Sequence, residues 1–258
     1  MIASDRQHTL ANEIVLEGIG LHTGENAQLR IAAGDINTGY VFVRKDLEGE
    51  PEIQAHVSNV SETRRGTTLR SGEAVVHTTE HVLASLYAMG IDNARLELTG
   101  PEVPILDGSA SPFVEAILAA KSTEQDAPRR FFKVRKNISY LAEGGIEMLV
   151  VPHKGDTFKA TVMVDYESPV LGTQHARMEQ LADFQEEIAR CRTFVFLKEV
   201  AALAEQGLIK GGDIDNAVVL AERPYSTDEL KSIAASLARD NMSGSADEPG
   251  VVNASSLR

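Results

Sequence analysis

The chain lacks the residues on which disulfide-bonded and membrane-spanning proteins depend. Cys191 is the single cysteine among 258 residues, so no internal disulfide can form and a reducing compartment is expected. No apolar run approaches the roughly 18 residues of a membrane-spanning helix, and the polar start Met1–His8 does not predict a secretory signal. We therefore expect a globular protein of the cytoplasm without a membrane span.

Positive charge is also scarce. The 25 Lys and Arg residues stand against 38 Asp and Glu residues, which gives a formal net charge of -13. Such a chain repels polyanions, which argues against nucleic acid as its main partner. A phosphorylated small molecule can still bind where a local cluster of Lys and Arg reverses the field over a site.

The first half has the patterns of short strands and two helices. Apolar and polar residues that alternate with period two predict strands at 28–32, 40–44, 66–70, 73–77 and 94–98. Apolar residues at helical spacing predict a helix that begins at Thr78 or Thr79 and ends at Gly90. A second helix is predicted from Pro112 to Ala120, with proline in the first turn, where its missing N–H is not needed.

A polar segment divides the chain into two predicted domains. Lys121–Arg130 is charged and contains a proline, so we place the boundary there and expect domains at 1–127 and 128–258. The second domain is predicted to contain strands near 131–134, 147–151 and 158–166 and helices near 181–191 and 198–206. The tetrapeptide Ile91–Ala94 recurs as Ile214–Ala217, each time between a helix and an apolar strand. The repeat is either chance or the trace of a duplication.

One segment contains metal-binding residue types at a known spacing. His77-Thr-Thr-Glu-His81 matches the inverted zinc-protease signature H-x-x-E-H, which needs one continuous helix so that both histidines share a face. Because 73–77 has the pattern of a strand, the helix begins after His77, which argues against a metalloprotease. Glu80 and His81 remain in the first helical turn, where His81 can ligate an ion and Glu80 can accept a proton from its water. Alternatively, the chain is a structural or binding module in which Glu80 complements the helix dipole and His81 is a packing residue.

Several segments around this pair resemble, in order and spacing, the UDP-3-O-acyl-N-acetylglucosamine deacetylase family. The matching segments of the first domain are Gly18–Gly24, Thr79–Leu86, Gly90–Asn93 and Gly100–Ser109. Those of the second domain are Arg192–Phe194, Gly207-Leu208 and Gly211-Gly212. The similarity extends over nearly the whole chain, from about His8 to Arg258.

The resemblance implies an α+β fold of two similar domains, each a small β-sheet layered with helices as a β-α-α-β sandwich, with the site between them. It implies a zinc-dependent deacetylase that removes the N-acetyl group from UDP-3-O-(hydroxyacyl)-N-acetylglucosamine early in lipid A biosynthesis. Zinc can lower the pKa of bound water to about 7, and a hydroxyl that donates to the oxyanion contributes roughly 3 kcal/mol. Iron suits the same ligands, and the acyl-chain length and the oligomeric state stay open.

The resemblance also implies roles for individual residues. His81 corresponds to the first zinc ligand and Glu80 to the general base. Thr193 corresponds to the threonine that stabilises the oxyanion, Phe194 to an aromatic at the sugar site and His22 to a histidine near the metal. The apolar passage for the acyl chain corresponds to four residues that could equally pack a core, Val200, Ile209, Ala217 and Val219.

The correspondence stops before the family's second ligand motif. The family takes two further zinc ligands from an H-K-x-x-D motif, and Val251–Arg258 matches the stretch just before it. We therefore expect those ligands beyond Arg258, and we expect the 258-residue polypeptide to bind zinc weakly, to be inactive and to leave apolar surface of its second domain uncovered. The chain is then either a fragment of a longer enzyme or a non-catalytic UDP-sugar-binding homologue. His56, His153 and His175 are expected on the surface or in packing.

Overall fold

A computed structural model describes residues 5–155, 157–237 and 246–252. The sequence expectations for 253–258, and for ligands beyond Arg258, lie outside the described residues. The strands of the first half are β1 (Arg6–Leu10), β2 (Ile14–Ile19), β3 (Asn26–Ala33), β4 (Tyr40–Arg44), β5 (Glu52–Gln54), β6 (Val60–Glu62), β7 (Thr68–Ser71), β8 (Ala74–Val76), β9 (Ala94–Leu98) and β10 (Ser122–Pro128). Its helices are α1 (Glu80–Ala88) and α2 (Ser111–Ala120), with a 3₁₀ turn at Val57–Asn59.

The first half is built on a five-stranded sheet in the order β2-β3-β9-β4-β5. Its neighbours pair antiparallel except β4 and β9, which are parallel and have α1 within the connection between them. The period-two pattern is confirmed by four fully buried side chains of these strands, Leu29, Ile31, Phe42 and Leu96. Leu86 of α1 and Phe113 of α2 belong to the same apolar cluster, so the helices cover one face of the sheet.

The second half contains two antiparallel ribbons and a small three-stranded sheet. Its strands are β11 (Ile138–Ala142), β12 (Ile146–Val150), β13 (Ala160–Asp165), β14 (Thr173–Met178), β15 (Phe194–Phe196), β16 (Val218–Ala221) and β17 (Gly250–Val251). Its helices are α3 (Leu197–Glu205) and α4 (Thr227–Ser236), with a 3₁₀ turn at Glu143–Gly145 and a π-helical turn at Phe184–Ile188. β11 pairs with β12 and β13 with β14, while β16 lies between the parallel β15 and the antiparallel β17. The whole chain therefore has an α+β fold, as expected.

The repeated tetrapeptide occupies the same structural position in both halves. Asn93 and Asn216 are both buried, and each leads into a strand that pairs in parallel with an earlier strand. The Asn93 side chain donates to Gln7 at 2.8 Å and to Gln125 at 2.7 Å, and that of Asn216 donates to the Gly211 carbonyl at 2.9 Å. In both halves the asparagine thus ties the start of an inner strand to another segment, which is β1 and β10 for Asn93 and the loop at Gly211 for Asn216. Duplication and the two-domain division stay predictions.

One strand was not predicted, and two predicted elements are wrong. The polar segment in which we placed the domain boundary contains β10, which pairs with β1; its side chains are mostly exposed, so they give no alternating pattern. No strand forms at 131–134, where Phe131 and Phe132 are 64% and 91% exposed. The helix expected at 181–191 is reduced to the π-helical turn. The helices expected near Pro112 and near 198–206 are confirmed.

Apolar surface is exposed on the ribbons of the second half, as expected. Exposed apolar side chains lie along the strands β11, β12 and β13, among them Tyr140, Leu141, Met148, Leu149 and Met163. Within the described ranges, no helix has both the length and the apolar character to cross a bilayer.

Candidate active site

Helix α1 begins where the sequence indicates, and it excludes the metalloprotease geometry. Thr79 is the N-cap and Glu80 the first helical residue. His77 lies before the helix, where its main chain forms an isolated parallel β-bridge with that of Glu102. Thr78, between them, has a φ of 57°. A β-branched residue in this left-handed region is strained by about 1–3 kcal/mol, so the contacts around Thr78 must hold the chain in this turn. The two histidines of the signature therefore do not share a helical face.

Glu80 is held against the start of β7. Its Oε2 accepts the Thr67 N–H at 2.9 Å, and the Thr79 hydroxyl donates to the Thr67 carbonyl at 3.1 Å. The other oxygen, Oε1, lies 3.5 Å from the position that a Cβ on Gly66 would occupy, and so does Nε2 of His22. The absent side chain of Gly66 thus leaves one small space that both the acid and the imidazole border.

His22 has an imidazole with one unsatisfied atom. Its Nε2–H donates to the Arg65 carbonyl at 3.1 Å, and a carbonyl can only accept, so Nδ1 carries the lone pair. In the described chain this Nδ1 is buried and has no hydrogen-bond partner. A buried acceptor without a donor is costly, so His22 offers an unused lone pair at the site.

An apolar cavity of about 260 Å³ opens beside His22. It brings together every residue of the second half for which the resemblance implied a role, and these are Thr193, Phe194, Val200, Ile209, Ala217 and Val219. Its wall also contains residues that the sequence reasoning missed, among them Leu21, Arg65, Leu203 and Leu237. Glu80 and His81 are not in this wall; both are half-buried at the start of α1.

A second and more polar cavity of about 220 Å³ shares His22 with the first. Its lining includes Arg64 and Lys210 as well as Glu62 and His77. Burial lowers the pKa of His77, against a smaller opposing effect of the Glu102 charge. The imidazole of His22 therefore stands where an apolar space and a polar space meet, a geometry suited to an amphipathic ligand.

The two halves of the chain meet tightly around these cavities. A Cβ on Gly108 would lie 2.0 Å from the Asn216 carbonyl oxygen, and a Cβ on Gly211 would lie 2.1 Å from that of Gly20. The guanidinium of Arg192 donates to the Asp107 carbonyl at 2.6 Å. Such approaches leave no room for a side chain, so the backbones themselves fix the position of the cavity walls.

An ion pair also joins the halves beside the apolar cavity. Arg65, which precedes β7, donates to Oε1 of Glu199 on α3 at 2.9 Å. Oε2 of Glu199 is buried and has no hydrogen-bond partner among the described residues. The sequence carried no signal for this pair, because its members are 134 residues apart.

The described side chains do not complete a metal site. No group of three His, Cys, Asp or Glu side chains in this part of the chain is placed to hold an ion. A catalytic zinc normally has three protein ligands. His81 therefore stands as a single candidate ligand, and the expected zinc does not fit the described residues by themselves.

Comparison with known proteins identifies relatives in the family that the sequence resembles. A sequence model described as UDP-3-O-acyl N-acetylglycosamine deacetylase matches residues 7–234. A bifunctional enzyme LpxC/FabZ of Chlorobaculum tepidum is 45% identical over 254 residues, which are 98% of this chain and 54% of that protein. A second, of Porphyromonas gingivalis, is 43% identical over 89% of this chain and 49% of its own length. A UDP-3-O-acyl-N-acetylglucosamine deacetylase of Teredinibacter turnerae is 40% identical over 83% of this chain and 71% of its own. The chain thus spans about half the length of the bifunctional relatives.

Proposed function

The chain belongs to the UDP-3-O-acyl-N-acetylglucosamine deacetylase family, and we propose that this protein is a hydrolase that removes the N-acetyl group from UDP-3-O-(hydroxyacyl)-N-acetylglucosamine in lipid A biosynthesis. One observation carries the proposal. Six residues that the resemblance implied, spread over 27 positions from Thr193 to Val219, line a single cavity together with His22. A cytoplasmic location belongs to the same proposal.

The apolar cavity supports an acylated substrate. Val200, Leu203 and Ile209 provide a wall of aliphatic side chains that are each less than a tenth exposed. Apolar lining with a few convergent polar groups is typical of small-molecule sites. The acyl chain would occupy this space, and the sugar would lie towards Phe194 and His22.

Two side chains would act on the amide itself. Glu80 would accept the proton of the attacking water, because Thr67 fixes one carboxylate oxygen and leaves the other at the open space over Gly66. The Thr193 hydroxyl would donate to the oxyanion. The main chain of Thr193 is held from both sides, since its N–H donates to the Gly108 carbonyl at 2.8 Å and its carbonyl accepts from Val218 at 2.8 Å.

Zinc is proposed as the cofactor on the family resemblance. When bound, it would supply a Lewis acid for the amide carbonyl. His81 is proposed as one of its ligands, and the other two stay proposals outside the described residues.

The proposal is tested by acetate release from the UDP-linked acylated glucosamine, with the full-length gene product and added Zn²⁺. We expect turnover by the wild type and a loss of about 100-fold or more in kcat for Glu80→Gln, because proton transfer to a positioned carboxylate contributes that much. Glu73→Gln, at an exposed position in the preceding turn, is the matched control and should retain wild-type kcat. Binding of the sugar without acetate release from the full-length protein would instead identify the non-catalytic homologue.

A further inference from the structure

Glu102 is a buried carboxylate to which neither the sequence motifs nor the proposed chemistry assigns a role. It follows β9 between two prolines and is 1% exposed. The main chain on either side of it is tied to His77, whose N–H donates to the Pro101 carbonyl at 2.9 Å and whose carbonyl accepts from Val103 at 3.2 Å. A buried charge is tolerated only where hydrogen bonds replace its hydration, so the partners of this carboxylate indicate what it does.

Among the described residues, all hydrogen-bond partners of the Glu102 carboxylate come from two segments that border the candidate site. Oε1 accepts from the Thr78 hydroxyl at 2.6 Å and from the His22 N–H at 3.0 Å. Oε2 accepts from the same His22 N–H at 3.1 Å and from the N–H and the hydroxyl of Thr23, both at 2.8 Å. In the described chain no cation forms an ion pair with Glu102. The carboxylate is thus held by backbone N–H groups and hydroxyls alone.

The loop that contains His22 is shaped around this carboxylate. A Cβ on Gly20 would lie 2.4 Å from Oε2 of Glu102, so any side chain at this position would displace the carboxylate or the loop. Gly20 therefore has a specific use: it lets the main chain fold closely over a buried acid.

The same carboxylate holds the turn before Glu80 and His81. Thr78 has a left-handed φ and directly precedes the helix N-cap, so its hydrogen bond to Glu102 stabilises the strained turn from which α1 starts. One side chain therefore fixes the main chain of His22 and the entry to the Glu80–His81 pair at the same time. Both elements border the open space over Gly66.

We propose that Glu102 is a positioning residue, whose carboxylate sets the placement of His22 relative to Glu80 and His81. It does not contact the substrate and acts only through the two segments that it joins. The expected effect on kcat rests on the proposed function. The expected effect on the His22 loop rests on the geometry alone.

The test compares Glu102→Gln with Glu97→Gln in the full-length protein. The amide introduced by Glu102→Gln cannot accept all the hydrogen bonds of the carboxylate, so the loop should shift, and a displacement of about 1 Å at a catalytic group can reduce turnover about 100-fold. We expect kcat to fall about 100-fold with KM within about threefold of wild type, because most of the apolar cavity wall comes from the second half of the chain and only Leu21 and His22 of this loop contribute to it. Glu97, in the preceding strand β9 and 15% exposed at its side chain, pairs with Arg30 and Arg95 away from the site. Its replacement should lower the Tm and leave kcat unchanged.

Three further comparisons separate positioning from general stability. Hydrogen exchange at the His22 and Thr23 amides should become faster in Glu102→Gln and stay unchanged in Glu97→Gln. Glu102→Asp, which keeps the charge, should recover part of kcat. Thr78→Val should reproduce the loss of kcat because it removes one donor to Oε1, and this variant carries the test if Glu102→Gln does not fold.

The outcomes distinguish this inference from the proposed function. A wild type without acetate release refutes the proposed function, and the amide exchange of the two variants then decides the inference alone. If the wild type is active, kcat of Glu102→Gln within twofold of wild type overturns the inference and leaves the function standing. Equal losses of kcat in Glu102→Gln and Glu97→Gln overturn it as well, because they would show a loss of stability without a positional effect.

Discussion

The roles of His22, His77 and Glu102 at this site depend on how deeply each side chain is buried and on its hydrogen-bond partners, which are distant in the sequence for Glu102. His77 stands in a metal-binding signature, yet it lies outside the helix, and its Nδ1 is hydrogen-bonded to the Thr68 hydroxyl at 3.0 Å. The resemblance identified His22 but not the unpartnered Nδ1 that the fold buries. Glu102 lies within a segment that matches the family, but the resemblance implies no role for it. A sequence shows which residue types are present, whereas their partners are often more than 70 residues away, as Glu102 is from Thr23.

The half-buried His77 should make the stability of the fold depend on pH. Burial lowers its pKa below the ordinary value of about 6.5, so the unfolded chain binds more protons between the two pKa values. The stability that comes from the neutral imidazole is present above the ordinary pKa and is lost as the pH falls through the folded value. We expect the Tm to drop between about pH 7 and about pH 5, and His77→Gln to reduce the drop. His175→Gln, in an exposed strand, should leave it unchanged; equal slopes in all three proteins would contradict the assignment.

At the scale of elements, hydrophobic periodicity predicted most of the described first half. The strands at 28–32 and 40–44, the paired strands β7 and β8, and α1 were predicted correctly because one face of each is buried in a common core. β10 was missed because strand pairing is a property of the backbone, and exposed polar side chains give no alternating signal. The segment 131–134 was misassigned for the opposite reason: its apolar side chains are exposed, so composition indicated burial that the fold does not provide.

Helix α4 should depend on its capping box. The Ser226 hydroxyl accepts the Glu229 N–H at 3.3 Å, and the Glu229 carboxylate accepts the Ser226 N–H at 2.8 Å. A hydrogen bond from Arg223 is the main cause that lowers the pKa of Glu229 to about 2, so the box persists into acid. Ser226→Ala should destabilise α4 by about 1 kcal/mol, read as faster amide exchange over 227–236. Thr227→Ala, one position further along, keeps both bonds and should not accelerate exchange; if it does so equally, the cap is not the cause.

For the whole molecule, the expectation that the site lies between two halves depends on contacts that no local pattern reveals. The N–H groups of Lys210 and Gly211 donate to the carbonyls of His22 and Leu21 at 3.3 and 3.1 Å. These bonds place the loop that follows α3 directly against the His22 loop, which Glu102 holds. The resemblance named the residues of the second half that line the apolar cavity. It did not predict the close contacts between the backbones of the two halves at Gly108 and Gly211, because the sequence does not show what packs against a glycine.

Gly211→Ala tests whether this backbone contact sets the geometry of the site. Gly211 is buried and has no left-handed φ, so the effect of the added methyl is steric: it would meet the Gly20 carbonyl oxygen at 2.1 Å. We expect a loss of about 2–3 kcal/mol in the free energy of unfolding, as for overpacked interiors, and a fall in kcat/KM because the His22 loop must move. Gly72→Ala is the control, since its Cβ meets no atom within 4 Å and its left-handed φ should cost only about 1 kcal/mol with unchanged kcat/KM. Urea unfolding and acetate release measure both quantities. A Gly211→Ala protein that is as stable and as active as Gly72→Ala would show that the halves tolerate separation, and that the cavity does not depend on their close contact.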